Sequence, residues 1–468
     1  MSNPTAAPLL PQATATLAAF AAELRYEDLP TIVVDRMKTS LLDSIGCCLY
    51  GMTLPWTQRV LAMVEAEGAR PVAALFGTGQ RTSVAGAALV NGTAGHAFEL
   101  DDIHKESIVH AGSIALPVAA AFAEAAGTPC DGRRLLTGLA CGYEIGTRVG
   151  NAATMSLFFR GFHPQGTSGV FVAAATAGWM LGLDAGQMQH ALGIVGSQAG
   201  GLMAAQEGAM VKRFHAGRAA QSGVYSAQLA QRGFTGISDV LEAPYGGYLS
   251  SYSDKPDAAR LTDGLGQDWE TAKVGYKPHA SVTSIHAAMD ALRQLMDTHG
   301  LAASDIASVD VGVSHMTYVH CAWAYRAQGV TAAQMNLSYG LAVIALDGVA
   351  FVAQYDESRL SDPRILDFIS RIQAREDAGI DAMGPAFRHA ARIGVRTHDG
   401  RSLHNEILHR RGSPENPLSA AEVERKFRAV VAGCLSAADI DRTVALVARI
   451  EQLDDVAPLL ALLAAPRA

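Results

Sequence analysis

The sequence predicts a mainly α protein, a large all-helical domain with a smaller α+β domain inserted into it. Three observations carry that prediction. Of the 468 residues, 49% are hydrophobic and only 18% charged, which suits a large buried core. From about Ala13 to Gly264 apolar residues recur at helical spacing, with short breaks. After about Gly266 strand-like alternation appears between helices, and helix returns toward the C-terminus. The expected divisions are residues 1–265 (helical), 266–395 (α+β) and 396–468, a helical return onto the first part. Aromatic residues make up 6% while Ala and Gly abound, so the helices are expected to pack closely.

Taken in order, Met1 to Ala19 is rich in Ala, Thr and Pro, lacks the basic start of a signal peptide, and reads as a tail into a first helix. Thr31 to Tyr50 places Val33, Met37, Leu41, Leu42 and Ile45 on one helical face. Asp184 and Gln187 have capping-box spacing ahead of Met188, Leu192 and Val195. Ala216 to Gly233 is a further helix. In the second part Ile306 to Val313 alternates as a strand, and Ser284 to Thr298 and Ser338 to Asp347 are helical. Ala391 to Val395 and the segment after Arg401 flank His398-Asp399-Gly400, a hairpin turn. Ser419 with Glu422, and Ser436 with Asp439, open two C-terminal helices.

The formal net charge of −8 and the pI near 6.0 argue against a nucleic-acid or anionic-membrane partner. No stretch of about 18 uncharged apolar residues suggests a membrane span, and a cytoplasmic location is expected. The six cysteines are scattered and none has CxxC spacing, so neither a disulfide framework nor an iron–sulfur centre is expected.

The densest polar run lies between two apolar helical stretches: His96, Glu99, Asp101, Asp102, His104 and His110. Carboxylates and imidazoles confined together shift one another's pKa values, as acid–base pairs require. A polar helix end capped by Asp101 and Asp102 is the competing explanation. His163 precedes Pro164 and Gly166 in a loop entering the next helix, where a merely solvated histidine is the alternative. Lys212, Arg213, His215 and Arg218 put basic side chains at a helix start, where the macrodipole disfavours them unless something negative is near. A solvated basic turn is the bland account. Lys277 and His279, followed by Ser281, Thr283, Ser284 and His286, could close over a site from the second domain or simply cap a helix. His104 and His110 are six apart and no HExxH pair exists, so no metal is expected; nor is there a Walker A loop or a dinucleotide fingerprint.

The run NGTAGHAFELDDIHKESIVHAGS resembles a segment of the MmgE/PrpD family. CGYEIGTRVG, GFHPQGTSGVFVAAATAGWMLGLD, AMVKRFHAGRAAQSGV, YKPHASVTSIHAAMDAL and AAQMNLSYGLAVIAL are similar to later blocks in the same order. The resemblance covers about Asp43 to Val395. It implies a helical domain with an α+β lid, a homodimer, a site between the domains, and a reaction such as 2-methylcitrate dehydration, cis-aconitate decarboxylation or iminodisuccinate epimerisation. It also implies site roles for Glu99, His110, His163 and Lys212. Three positions depart from the pattern: Glu99 stands where the decarboxylase has aspartate, Val282 where it has a histidine, and Ile103 where threonine is common in the family. These argue against cis-aconitate as substrate, with His279 as a candidate replacement imidazole.

The expected chemistry is cofactor-independent removal of an α-proton from a small polycarboxylate. Lys212, with Arg213 or Arg218, would bind carboxylates and developing enolate charge. His110 and His163 would be the acid–base pair, with Asp102 orienting one imidazole; Glu99, His104, Lys277 and His279 complete the expected substrate-binding set. Dehydration of a 2-methylcitrate-like hydroxy acid leads, with epimerisation of an iminodisuccinate-like diacid and a carboxylate-binding protein without turnover as alternatives.

Overall fold

The computed structural model describes residues 12–466, so the tail reading of residues 1–11 lies outside the described residues. The first part is helical: α1 (Ala13–Glu23), α2 (Thr31–Gly51), α3 (Pro55–Glu67), α4 (Val84–Gly95), α5 (Gly112–Ala125), α6 (Gly132–Phe159), α7 (Pro164–Thr167), α8 (Gly169–Leu181), α9 (Ala185–Gly196) and α10 (Val211–Gln231). Local sequence sets their starts. Ser83, Asp131 and Asp184 cap α4, α6 and α9 through side-chain oxygens, and Asp184 with Gln187 forms the expected capping box. Helix α10 begins at Val211, five residues earlier than its apolar pattern suggests, so the Lys212–Arg218 stretch is its first two turns.

Small residues let these helices touch through their backbones. A Cβ on Gly217 of α10 would stand 2.2 Å from the Leu89 carbonyl of α4, and one on Gly223 would stand 2.2 Å from Ala173 of α8. The helices α4, α5, α8 and α10 therefore form one tight layer around a fully buried apolar core.

A short helix α11 (Tyr248–Tyr252), packed on α6, ends the first part, and the second runs through α12 (His286–His299), α13 (His315–Cys321), α14 (Val330–Met335), α15 (Leu337–Asp347), α16 (Pro363–Ile369) and α17 (Ala378–Asp381). Two-stranded pairs β1 (Ala73–Ala74) with β2 (Arg81–Thr82), and β3 (Ile103–His104) with β4 (Val274–Gly275), tie loops together. The main sheet holds β5 (Ile306–Val313), β6 (Ile372–Glu376), β7 (Ala391–Thr397) and β8 (Ser402–Ile407) in the order β6-β5-β7-β8. Its β5–β6 pair is parallel and its other two pairs antiparallel. Helices α12 and α15 pack together, and α12 covers β7 and β8. Strand pairing runs on to Ile407, and helix resumes with α18 (Ala420–Val431), α19 (Ala437–Ala448) and α20 (Ala457–Ala464). Helix α18 lies on α2, and Gly132 at the start of α6 donates to the Leu453 carbonyl. Among the described residues no helix is long and apolar enough to cross a membrane.

Candidate active site

Residues 96–111 leave helix between α4 and α5 and carry the polar constellation into a buried loop. The loop is strained at two points: Glu99 has φ of 53° and Ile108 has φ of 57°, a conformation that L side chains rarely adopt. Both residues line the same cavity, and strain of this kind persists where surrounding structure over-determines it.

Glu99 is the electrostatic centre. Its Oε1 accepts hydrogen bonds from Lys212 and, at 2.6 Å, from Arg213; its Oε2 accepts from Lys277 at 3.0 Å. Burial alone would raise its pKa, but Lys212, Lys277 and Arg213 outweigh that and hold it well below the usual carboxylate range. Glu99 thus answers the conflict posed by cations at the N-terminus of α10. Burial lowers the Lys212 ammonium to about 8, against the opposing pull of Glu99.

The imidazoles stand beside this cluster. His96 Nδ1 lies 2.7 Å from Asp101 Oδ2, and His110 Nδ1 lies 3.3 Å from Asp101 Oδ1. The His96 ring sits between the other two, with centroids 4.8 Å from His110 and 5.7 Å from His163. Burial pushes His96 down to about 3 and, helped by Lys212, holds His163 well below its ordinary value, so both are neutral. Gln165 clamps the His110 backbone from both sides: its Oε1 accepts from His110 N at 2.9 Å and its Nε2 donates to His110 O at 3.0 Å.

Glu99, His110, His163 and Lys212 line the cavity from the first part of the chain, and Lys277, Thr283, Ser284, His320 and His389 from the second. About 60 Å³ of it admits the centre of a water molecule, room for a few waters among its side chains. Arg213 spans the junction, donating to Gln334 Oε1 at 3.0 Å, while Gln334 Nε2 donates to the Phe98 and Ala280 carbonyls. A wider recess of about 680 Å³ lies over the main sheet, but its Arg375 and Arg392 are paired with Asp310, Asp377 and Glu406.

Four sequence expectations need correction. Asp102 orients no imidazole: its oxygens accept from Gly112 N at 3.0 Å and Tyr143 OH at 2.6 Å, and the neighbouring Asp101 faces the two rings. His104 points away from the cavity onto Glu270 Oε2 at 2.9 Å and Ser107. Arg218 is exposed on the far face of α10 and pairs with Gln221, because five residues past Arg213 the helix has turned its side chain outward. His279 is tied to Asp290 Oδ1 at 3.0 Å in a separate recess, so it does not replace the imidazole missing at Val282.

Sequence reading left other residues without a role. His96 and Asp101 stood inside the quoted run, but the loop's irregular backbone hid which of two adjacent aspartates turned inward. Gln165, Gln334 and Tyr143 lie within the quoted blocks, but their residue types alone point to no chemistry. His320, His389 and Cys321 reach the cavity only through tertiary folding; burial raises the Cys321 thiol, which keeps it protonated. His96, Asp101 and His110 offer ligand atoms within 4.8 Å of one another, a set that could hold a metal ion. The Lys277 ammonium stands 3.9 Å from Asp101 Oδ1 and competes for the same carboxylate.

A cavity that sets cations beside imidazoles equips an enzyme to move protons on a small anion. The chain belongs to the MmgE/PrpD family: residues 15–260 match the MmgE/PrpD N-terminal domain and residues 279–452 the MmgE/PrpD C-terminal domain. It is 30% identical to cis-aconitate decarboxylase-like protein oryM of Aspergillus oryzae, over 96% of this chain and 97% of that one. It is 29% identical to cis-aconitate decarboxylase of Aspergillus terreus, over 97% and 96%. The human cis-aconitate decarboxylase is 27% identical over 95% and 92%. These relatives are lyases acting on a polycarboxylic acid, and the relationship supports a lyase assignment for this chain.

Proposed function

We propose that this protein is a lyase that forms a carboxylate-stabilised carbanion on a small polycarboxylic acid and expels a neighbouring group. The observation that carries the reading is the meeting of Lys212, Lys277, His110 and His163 on one cavity. Lys212, Arg213 and Lys277 outnumber the carboxylates Glu99 and Asp101 there, which leaves positive charge for an anionic substrate. The two ammonium groups would hold substrate carboxylates and the developing enolate. His163, neutral through burial, suits proton abstraction; His110, backed by the Asp101 carboxylate, suits proton donation to the leaving group.

The finer assignment is dehydration of a 2-methylcitrate-like hydroxy acid. Ile103, where threonine is common in the family, and Val282, where the decarboxylase pattern has histidine, both line the cavity together with Ile108, Met203 and Met316. That apolar wall suits an alkyl-bearing acid. Decarboxylation of a cis-aconitate-like acid is the second reading, favoured by the named relatives.

Proton-exchange NMR in deuterium oxide across di- and tricarboxylates tests both. Exchange accompanied by loss of water supports the first, and loss of carbon dioxide the second. No exchange and no product with any acid would remove the lyase reading. On the acid so identified, His110→Gln and His163→Gln should each reduce turnover roughly 10²–10⁴-fold. The double variant should be little worse than the poorer single one, since groups acting as a unit are non-additive. Full activity in either single variant would sink the assigned pair.

A further inference from the structure

Behind His163 stands a second histidine, His215. His163 Nδ1 lies 2.8 Å from His215 Nδ1, so exactly one of these nitrogens carries the proton between them when both rings are neutral. That contact leaves His163 Nε2 as the nitrogen available to the cavity, which His163 lines. His215 is absent from the cavity wall and lies on α10 one helical turn past Lys212.

The chain has built a cover over this pair. Gly201, at φ 140°, lies against the His215 ring, and a Cβ there would come within 3.3 Å of its Nδ1 and Cε1. Its carbonyl accepts from His163 N at 3.0 Å, so one glycine seats both histidines. The residues flanking it, Gly200 and Leu202, are exposed, which places His215 one thin loop below the surface.

We propose that His215 is a positioning residue that switches the tautomer of His163 and relays its proton between the cavity and solvent. The inference rests on the carbanion reading given above. In the abstraction step the substrate C–H bond breaks, its electron pair stays on carbon, and its proton joins His163 Nε2. The Nδ1 proton of His163 passes to His215 Nδ1, and the Nε2 proton of His215 passes to a solvent base. Both rings begin and end neutral, with their tautomers exchanged. Running the same transfers backward supplies a proton to the carbanion. The relay matters because a stationary imidazolium at His163 would be buried beside the Lys212 ammonium, which disfavours a second positive charge there. A neutral shuttle avoids that charge.

Three measurements test the proposal. In wild-type protein labelled with nitrogen-15 histidine, a nitrogen–nitrogen coupling across the shared proton is expected; its absence would overturn the pair. His215→Asn keeps a polar group at His163 Nδ1 but cannot pass a proton through. On the acid that wild type exchanges, kcat should fall about tenfold or more while KM changes less than about threefold. His215→Ala should lose activity similarly and regain part of it with free imidazole. Wild-type exchange rates in His215→Asn, with no imidazole effect on His215→Ala, would overturn the relay alone. A wild type that exchanges no proton on any acid would overturn the carbanion reading, and the relay with it.

Discussion

Lys212 is poised between two opposing effects: burial pulls its pKa down to about 8, and Glu99 resists. A bound carboxylate would add a second anion beside it and raise that value. Polycarboxylate binding should therefore take up a proton near pH 8 and weaken as the pH climbs above it, which calorimetry in buffers of different ionisation enthalpy can read. Lys212→Ala should cost about 1.5–3 kcal/mol of affinity, the range for a hydrogen bond to a charged group; unchanged affinity in a folded variant would remove Lys212 from the site. Asp102 makes a different prediction. Burial pushes its pKa up to about 7, although Tyr143 and Gly112 donate to it. A carboxyl whose pKa rises on folding binds its proton more tightly in the folded state, so stability is lost as pH rises from about 4 to about 7. Asp102→Asn keeps partners for Gly112 and Tyr143 and removes the ionisation. Its melting temperature should exceed that of wild type at pH 8, by an amount worth on the order of a few kcal/mol, and the gap should close toward pH 4. Equal gaps at both pH values would show that Asp102 is not the titrating group.

At the scale of elements, periodicity and caps carry most of the information. Ile306–Val313 is a strand at the residues its alternation predicts, and Asp184 and Ser419 cap helices with their Gln187 and Glu422 partners. Those signals are local, so a single chain segment contains them whole. The site was legible in part for the same reason. Charged residues at a helix start announced Lys212 and Arg213, whereas the side to which Asp101 and Asp102 turn depends on a loop that no period describes. The roles of Gln165 and Gln334 were hidden because a neutral amide becomes informative only when its hydrogen-bonding ends are seen to clamp a backbone. Glycine spacing is a signal whose meaning needs the neighbouring helix. Gly223→Ala would raise helix propensity, yet its Cβ would meet Ala173 Cβ at 2.2 Å and the Ala174 nitrogen at 2.6 Å. The α8–α10 contact cannot yield by rotating a side chain. The variant should lose about 1–3 kcal/mol in urea unfolding, the usual range for overpacking, and a stabilised variant would mean that the helices part easily.

For the molecule as a whole, the cavity depends on segments remote in sequence. Arg213 reaches Gln334, Lys105 reaches Glu415, and Lys426 of α18 reaches Asp43 of α2 at 2.7 Å. The last pair is wholly buried and adjoins the site, since Lys426 also donates to the Leu100 carbonyl beside Glu99. Burial pushes the Asp43 pKa up and Lys426 pulls it back, so the ammonium is what allows a carboxylate in that core. Removing one partner strands the other charge, whereas replacing both by apolar groups removes the desolvation cost along with the attraction. Lys426→Met should therefore cost about 3–5 kcal/mol in urea unfolding, while Asp43→Leu combined with Lys426→Met should recover most of that loss. The single variant should also show proton uptake by Asp43, since its carboxyl is then left with burial alone. A cost below about 1 kcal/mol for Lys426→Met would place the pair with exposed ion pairs, and the C-terminal helices would then be held on α2 by their apolar faces, Val423, Phe427 and Val431, without help from the charge.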